Sequence, residues 1–275
     1  MSFKMPERVE RGIREIEKDS FENYRQRYPE SRPLITVERI LENIVKTIPN
    51  KTAFIQGKRK LTWKQFDERT NKVANGLLDL GLKKGDRVAI AGFNSLEWLE
   101  THFGAQKVGF VPVLLNPRFV ADEVRYILED SDSVVIFTED RWTDTVREAS
   151  KDVSLLKNII VWNAPGYPKK EIHGDMFEYE EFIKRYPDSR PNMDWEMKND
   201  DFCQLPYTGG TTGYPKGVVF DYWNKVGSWL WGIMSGSIEH GWDGIIDAVI
   251  ENKSFLDGVA NLVGSMEIPV LSPLG

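Results

Sequence analysis

RVAIAGFNSLEWLETHFGAQKVGFVPVLLNPR, residues 87–118, reads as strand, turn, helix and strand in succession. Arg87 to Phe93 contains Val88-Ala89-Ile90-Ala91 with no polar alternation, as expected of a parallel strand covered on both faces. Asn94-Ser95 has the capping chemistry that starts a helix, and Leu96, Leu99 and Phe103 turn inward at helical spacing. Phe110 to Leu115 is a second apolar strand, which Asn116-Pro117-Arg118 breaks.

The alternation continues in both directions. Downstream lie a helix at 120–129 with Val124, Ile127 and Leu128 inward, a strand at 133–138, a helix at 141–150 and a strand at 158–162. Upstream, Thr36 caps a helix over 37–46, Thr52 to Gln56 forms a strand, and Gly57-Lys58 turns the chain so that Leu61 returns. Thr62 is the N-cap of a long helix whose buried stripe is Phe66, Thr70, Val73, Leu77 and Leu80, and Gly81 ends it. Strand alternating with helix predicts an α/β fold with a doubly wound, mostly parallel sheet flanked by helices. Such sheets bind ligands at the carboxyl ends of their strands. Asn94, Ser95, Asn116 and Arg118 are therefore candidate substrate walls, with helix caps and turns as the alternative reading.

A second stretch carries the chemistry: Tyr207-Thr208-Gly209-Gly210-Thr211-Thr212-Gly213-Tyr214-Pro215-Lys216-Gly217. Glycines let several backbone N–H groups approach an anion, threonine hydroxyls add neutral donors, and the Lys216 ammonium supplies a point charge. The pattern lacks the Gly-Lys-Ser/Thr triplet of a P-loop. Phe202 to Leu205 precedes it and Val218-Val219-Phe220 follows, so the loop is expected between two strands, with no helix dipole behind it. A ligand-free Gly/Thr-rich hairpin turn is the bland alternative.

This segment resembles the phosphate-binding signature of the adenylate-forming superfamily, which includes acyl-CoA synthetases, firefly luciferase and the adenylation domains of peptide synthetases. Most members have serine where this chain has Gly209, and the Tyr-Thr-Gly-Gly-Thr-Thr-Gly form is similar to long-chain fatty-acyl-CoA synthetases. The order of elements over 86–132 also resembles the amino-terminal region of acyl-CoA synthetases. The resemblance implies an AMP-forming acid–thiol ligase that uses ATP, Mg2+ and CoA as co-substrate. In it, Thr208, Gly209, Gly210, Thr211, Thr212 and Gly213 contact the β and γ phosphates and Lys216 provides charge for catalysis. Tyr222 stands where members often have histidine, and Asn224 where many have asparagine. Several parts of the family's machinery are not found in this sequence: the Tyr-Gly-x-Thr-Glu segment, the Thr-Gly-Asp aspartate and the lysine of the small carboxy-terminal domain. The chain is therefore expected to be an amino-terminal half, truncated and inactive alone. A non-catalytic nucleotide- or acyl-binding remnant, half of a split enzyme, and an amino-acid or aryl-acid adenylating enzyme are the alternatives.

Composition narrows the setting. With 275 residues and 41% apolar content the chain can bury a sizeable core, and its net charge of −6 shows no basic face for nucleic acid. A single cysteine, Cys203, rules out an internal disulfide and fits a reducing compartment, where a small buried residue is the expected role. No apolar run reaches the roughly 20 residues of a membrane span, and residues 1–32 are too charged for a secretory signal. A cytoplasmic protein acting on small molecules is expected, as a possible homodimer or beside a separately encoded carboxy-terminal half. The organisation reads as a charged arm (1–32), an α/β sheet subdomain (33–163), a connector (164–201) with a short helix at 177–185, and the loop segment with the start of a second subdomain (202–275). The arm carries the apolar stripe of a short surface helix. His102 is expected to be a satisfied or surface helix residue and His173 solvated, while Asp194, Glu196, Asp200 and Asp201 read as linker charge rather than metal ligands. The four tryptophans between Trp223 and Trp242 form a core helix or line an acyl chain, and another strand begins at Ile268.

Overall fold

The computed structural model describes residues 36–170, 172, 174, 176–209, 214–222, 224–225 and 268–269. The expected arm helix, His173, Gly210 to Gly213 and the tryptophans from Trp223 to Trp242 lie outside the described residues.

The elements in chain order are α1 (Val37–Thr47), β1 (Thr52–Gln56), β2 (Arg59–Thr62), α2 (Trp63–Asp79), β3 (Arg87–Ala91), α3 (Leu96–Lys107), β4 (Val111–Leu115), α4 (Ala121–Asp130), β5 (Ser133–Glu139), α5 (Thr143–Ser150), β6 (Asn158–Trp162), β7 (Phe177–Glu178), α6 (Tyr179–Ile183), β8 (Phe202–Thr208), β9 (Lys216–Gly217), β10 (Phe220–Asp221) and β11 (Ile268–Pro269). The main sheet runs β10-β8-β4-β3-β5-β6-β7, with β9 paired to β8. From β8 to β7 every neighbour is parallel, and only β10 and β9 run against β8. β1 forms a smaller sheet, antiparallel to β2 and parallel to β11.

The unalternated apolar run in β3 has the predicted cause. Val88 and Ile90 face one layer, with Val73 and Leu77 of α2, Ala105 of α3 and Phe182 of α6. Ala89 and Ala91 face the other, with Val124, Ile127 and Leu128 of α4 and Val146 of α5. Since successive strand residues point to opposite faces, a strand between two helical layers has no solvent-facing position for a polar residue. Gly92 ends this strand where a Cβ would lie 2.5 Å from Trp162 Cζ2, so the backbone passes directly under the indole.

The expected caps form. Thr36 Oγ1 accepts from Arg39 N at 3.3 Å. Thr62 Oγ1 accepts from Gln65 N at 3.2 Å while Gln65 Oε1 accepts from Thr62 N at 2.9 Å, a reciprocal capping box. Phe66, Thr70, Val73 and Leu77 are fully buried, whereas Leu80 sits past the end of α2 and is only partly covered.

Three local expectations change. The segment 177–185 opens as an edge strand, since Phe177 and Glu178 pair with Ile160 and Val161, and only Tyr179–Ile183 is helical. Asp140–Trp142 is a 3-10 turn, so the helix begins at Thr143 instead of Arg141. Val218-Val219 is not strand although the Val218 amide donates across to Pro206 O at 2.9 Å, and strand pairing with β8 resumes at Phe220. β8, which carries the loop, lies beside β4 in the main sheet, with Val113 opposite Leu205.

Candidate functional site

The glycine- and threonine-rich stretch sits at the carboxyl end of β8. Its stem is a short hairpin in which Tyr207 pairs with Gly217 and Thr208 with Lys216. The Thr208 hydroxyl donates to Lys216 O at 3.4 Å. Thr208, Gly209, Tyr214 and Lys216 are exposed and Pro215 is buried. Among the described residues Lys216 has no carboxylate partner. A cation, an exposed hydroxyl and unsubstituted backbone thus share one end of a rigid strand. That arrangement can receive a multivalent anion from solvent.

Because β8 and β4 are parallel, the Asn116–Arg118 turn emerges at the same edge as Thr208. Asn116 Oδ1 accepts from Arg118 N at 3.0 Å and Ser95 Oγ from Trp98 N at 3.1 Å. These two side chains therefore act as turn and cap, and Ser95 is buried. Asn94 and Arg118 remain exposed.

Sequence reasoning passed over a cluster at the carboxyl end of β5. Arg141 pairs with the buried carboxylate of Glu139 and lies over the rings of Tyr167 at 3.9 Å and Phe93 at 5.2 Å. Burial raises the pKa of Glu139, and its hydrogen bond from Arg141 opposes that shift. The rule that ligands meet strand ends pointed here, but Glu139-Asp140-Arg141 reads in sequence as a helix start.

The isolated side chains are settled by burial. Cys203 is buried, and desolvation raises its thiol well above the ordinary range, so the small-core-residue reading holds. Tyr222 is buried and donates to Gln106 O at 2.5 Å, which takes its hydroxyl out of the solvent-facing site. His102 is 4% exposed, so it is a buried helix residue and not a surface one, and its Nδ1 has no hydrogen-bond partner among the described residues. Asp201 pairs with Lys84 at 2.6 Å and accepts from Lys198 N at 2.6 Å. Among the described residues, no group of three or more His, Cys, Asp or Glu is arranged to hold a metal ion by itself.

The sequence profile of the AMP-binding enzyme family matches residues 41–242. The chain belongs to that family. Its relatives include a medium/long-chain-fatty-acid–CoA/3-oxocholest-4-en-26-oate–CoA ligase of Mycolicibacterium smegmatis, 32% identical over 186 residues, covering 68% of this chain and 33% of that protein. A 4-hydroxybenzoate–CoA/benzoate–CoA ligase of Rhodopseudomonas palustris is 32% identical over 184 residues, covering 66% and 32%. Among solved structures, an anthranilate–CoA ligase in complex with anthranoyl-AMP superposes with a TM-score of 0.67 at 25% identity, covering 76% of this chain and 38% of that one. The inhibitor-bound N-terminal domain of FACL13 from Mycobacterium tuberculosis gives 0.61 at 27% identity, covering 74% and 48%. This AMP-binding enzyme chain thus spans about a third of the length of the curated relatives it matches. The mostly parallel sheet flanked by helices is the fold of their amino-terminal regions. No helix of the described residues is long and apolar enough to cross a membrane.

Proposed function

We propose that this chain is the amino-terminal, polyphosphate-gripping part of an ATP-dependent acid–thiol ligase. In the first half-reaction a carboxylate oxygen attacks the α-phosphorus of ATP, the bond to the bridging oxygen breaks, and pyrophosphate leaves with its electron pair. In the second, the CoA thiol sulfur attacks the acyl carbonyl of the adenylate, AMP leaves, and the thiol proton is released. The attacking carboxylate is already ionised at neutral pH and needs no base. Pyrophosphate gathers charge as it departs, and donors fixed in advance stabilise that charge.

The observation that carries the reading is the exposed Lys216, with no carboxylate partner among the described residues, at the stem of the Thr208–Gly217 hairpin. In this proposal Thr208 and Gly209 contact phosphate oxygens from the near limb. Gly210, Thr211, Thr212 and Gly213 have the composition to continue those contacts, and Lys216 supplies charge from the far limb. The relatives' names cover fatty, sterol-side-chain and benzoic acids, so the substrate class is a carboxylate on a large apolar group, and we assign a fatty acid. We place the protein in the cytoplasm, working as a homodimer or with a carboxy-terminal half.

Titration calorimetry with ATP tests the grip. Lys216→Ala should weaken binding about tenfold, the loss of one charge-assisted contact, and an unchanged affinity removes Lys216 from the site. An ATP–pyrophosphate exchange assay tests the partial character of the chain. The 275 residues alone should not catalyse exchange with any fatty acid, and robust exchange would contradict this.

A further inference from the structure

A hairpin whose return strand, β9, is two residues long needs other contacts to hold its cation in place, since so short a ribbon is not stable by itself. Tyrosines stand on both sides of the glycine-rich segment, and both reach helix α4. Tyr207, buried on the near limb, donates its hydroxyl to Asp130 Oδ2 at 2.7 Å. Tyr214, on the far limb, stacks on Tyr126 with ring centroids 4.6 Å and planes 28° apart. Tyr126 and Asp130 are neighbours one turn apart on α4, and the Tyr126 hydroxyl lies 3.4 Å from Asp130 Oδ1. The Asp130 carboxylate therefore meets a phenol of the near limb and the phenol on which the far limb rests. Gly217 completes the arrangement: a Cβ there would lie 3.1 Å from Tyr207 Cζ and 3.0 Å from Leu205 Cδ1, so its bare backbone lets the Tyr207 ring cross the returning strand toward Asp130.

We propose that Tyr126, Asp130, Tyr207 and Tyr214 form a clasp that fixes both limbs of the hairpin to α4 before nucleotide arrives, with Tyr126 and Tyr214 acting as positioning residues for Lys216. The choice of ligand rests on the polyphosphate reading above, whereas the clasp itself rests on the four side chains. Ordering the limbs beforehand removes entropy that the ligand would otherwise have to supply on binding. Tyr214 is 65% exposed, so its ring gains little from burial and its contact with Tyr126 is what places it.

Two readouts on the full chain test this: amide hydrogen exchange without ligand, and calorimetric titration with ATP. Tyr214→Ala and Tyr126→Ala should each speed exchange over 214–218, including the Val218 amide now bonded to Pro206 O. They should leave β3 and β5 unchanged and weaken ATP binding about two- to tenfold. Tyr214→Phe keeps the ring and should match the unsubstituted chain in both readouts. Unchanged exchange over 214–218 in Tyr214→Ala overturns the clasp whether or not ATP binds. Faster exchange spreading through α4 and β8 also overturns it, because the pair would then be ordinary packing. A local response in exchange, together with an ATP affinity that ignores Lys216→Ala, upholds the clasp and sinks the polyphosphate reading instead.

Discussion

His102 illustrates how burial sets the state of a single group. Its ring stacks on Trp98 at 5.2 Å with planes 7° apart and meets Phe103 edge-on. Desolvation, with Lys225 as a lesser influence, lowers its pKa to about 3. An unfolded histidine titrates near ~6.5, so between these values the unfolded chain binds a proton that the folded chain refuses. The stability contributed by the neutral ring is fully present above about pH 6.5 and declines as pH falls toward 3. His102→Phe keeps an aromatic ring and removes the proton site. It should flatten the dependence of unfolding free energy on pH between about 4 and 6.5, measured by urea denaturation, and parallel profiles for the two proteins would rule the group out. The sequence could place His102 on a helix but could not show what covers it, since that depends on neighbours distant in the chain. Lys216 and Thr208 could be proposed for an anion site from sequence because glycines, hydroxyls and a lysine stand together there. Asp130 and Tyr126 could not be picked out, because nothing in a helical stripe marks which residues will meet a loop far downstream.

At the scale of elements, one guanidinium joins three helices. Arg69 of α2 donates through Nε to Glu100 Oε1 of α3 at 2.7 Å and through Nη2 to Glu180 Oε1 of α6 at 2.5 Å. Tyr179 donates to Glu100 Oε2 at 2.8 Å, and Glu100 is fully buried. Arg69→Ala strands that carboxylate with a single phenol and should lower stability by about 3–5 kcal/mol. Replacing all three partners, Arg69→Met with Glu100→Leu and Tyr179→Phe, leaves no buried polar group stranded and should recover most of the loss. Denaturation midpoints in urea check this, and a single-variant loss below about 1 kcal/mol would mean the pair behaves as a surface ion pair. The long elements were readable because helix α2 has its own apolar period and its own capping box. Strand β7 and the 3-10 turn were not, since a two-residue strand exists only by virtue of the Ile160 and Val161 edge it completes.

Across the whole molecule, both sheets gather residues from distant parts of the chain. β8, which carries the loop, enters beside β4, and β11 enters beside β1 with Phe54 opposite Ile268. Deleting residues 266–275 should therefore speed amide exchange over 52–56 and leave 87–91 unaltered, and equal exchange in β1 would show that the pairing contributes nothing there. What the sequence by itself determined is the α/β class, most element boundaries and the family resemblance carried by the loop, because periodicity, caps and glycine content act within a few residues of where they are written. Only the tertiary structure decided that the loop's strand joins the main sheet, that Asp130 and Tyr126 hold its limbs, and that His102 is sealed from water. Strand order and burial depend on contacts between segments far apart in the chain, and no local pattern encodes which partner a surface will meet.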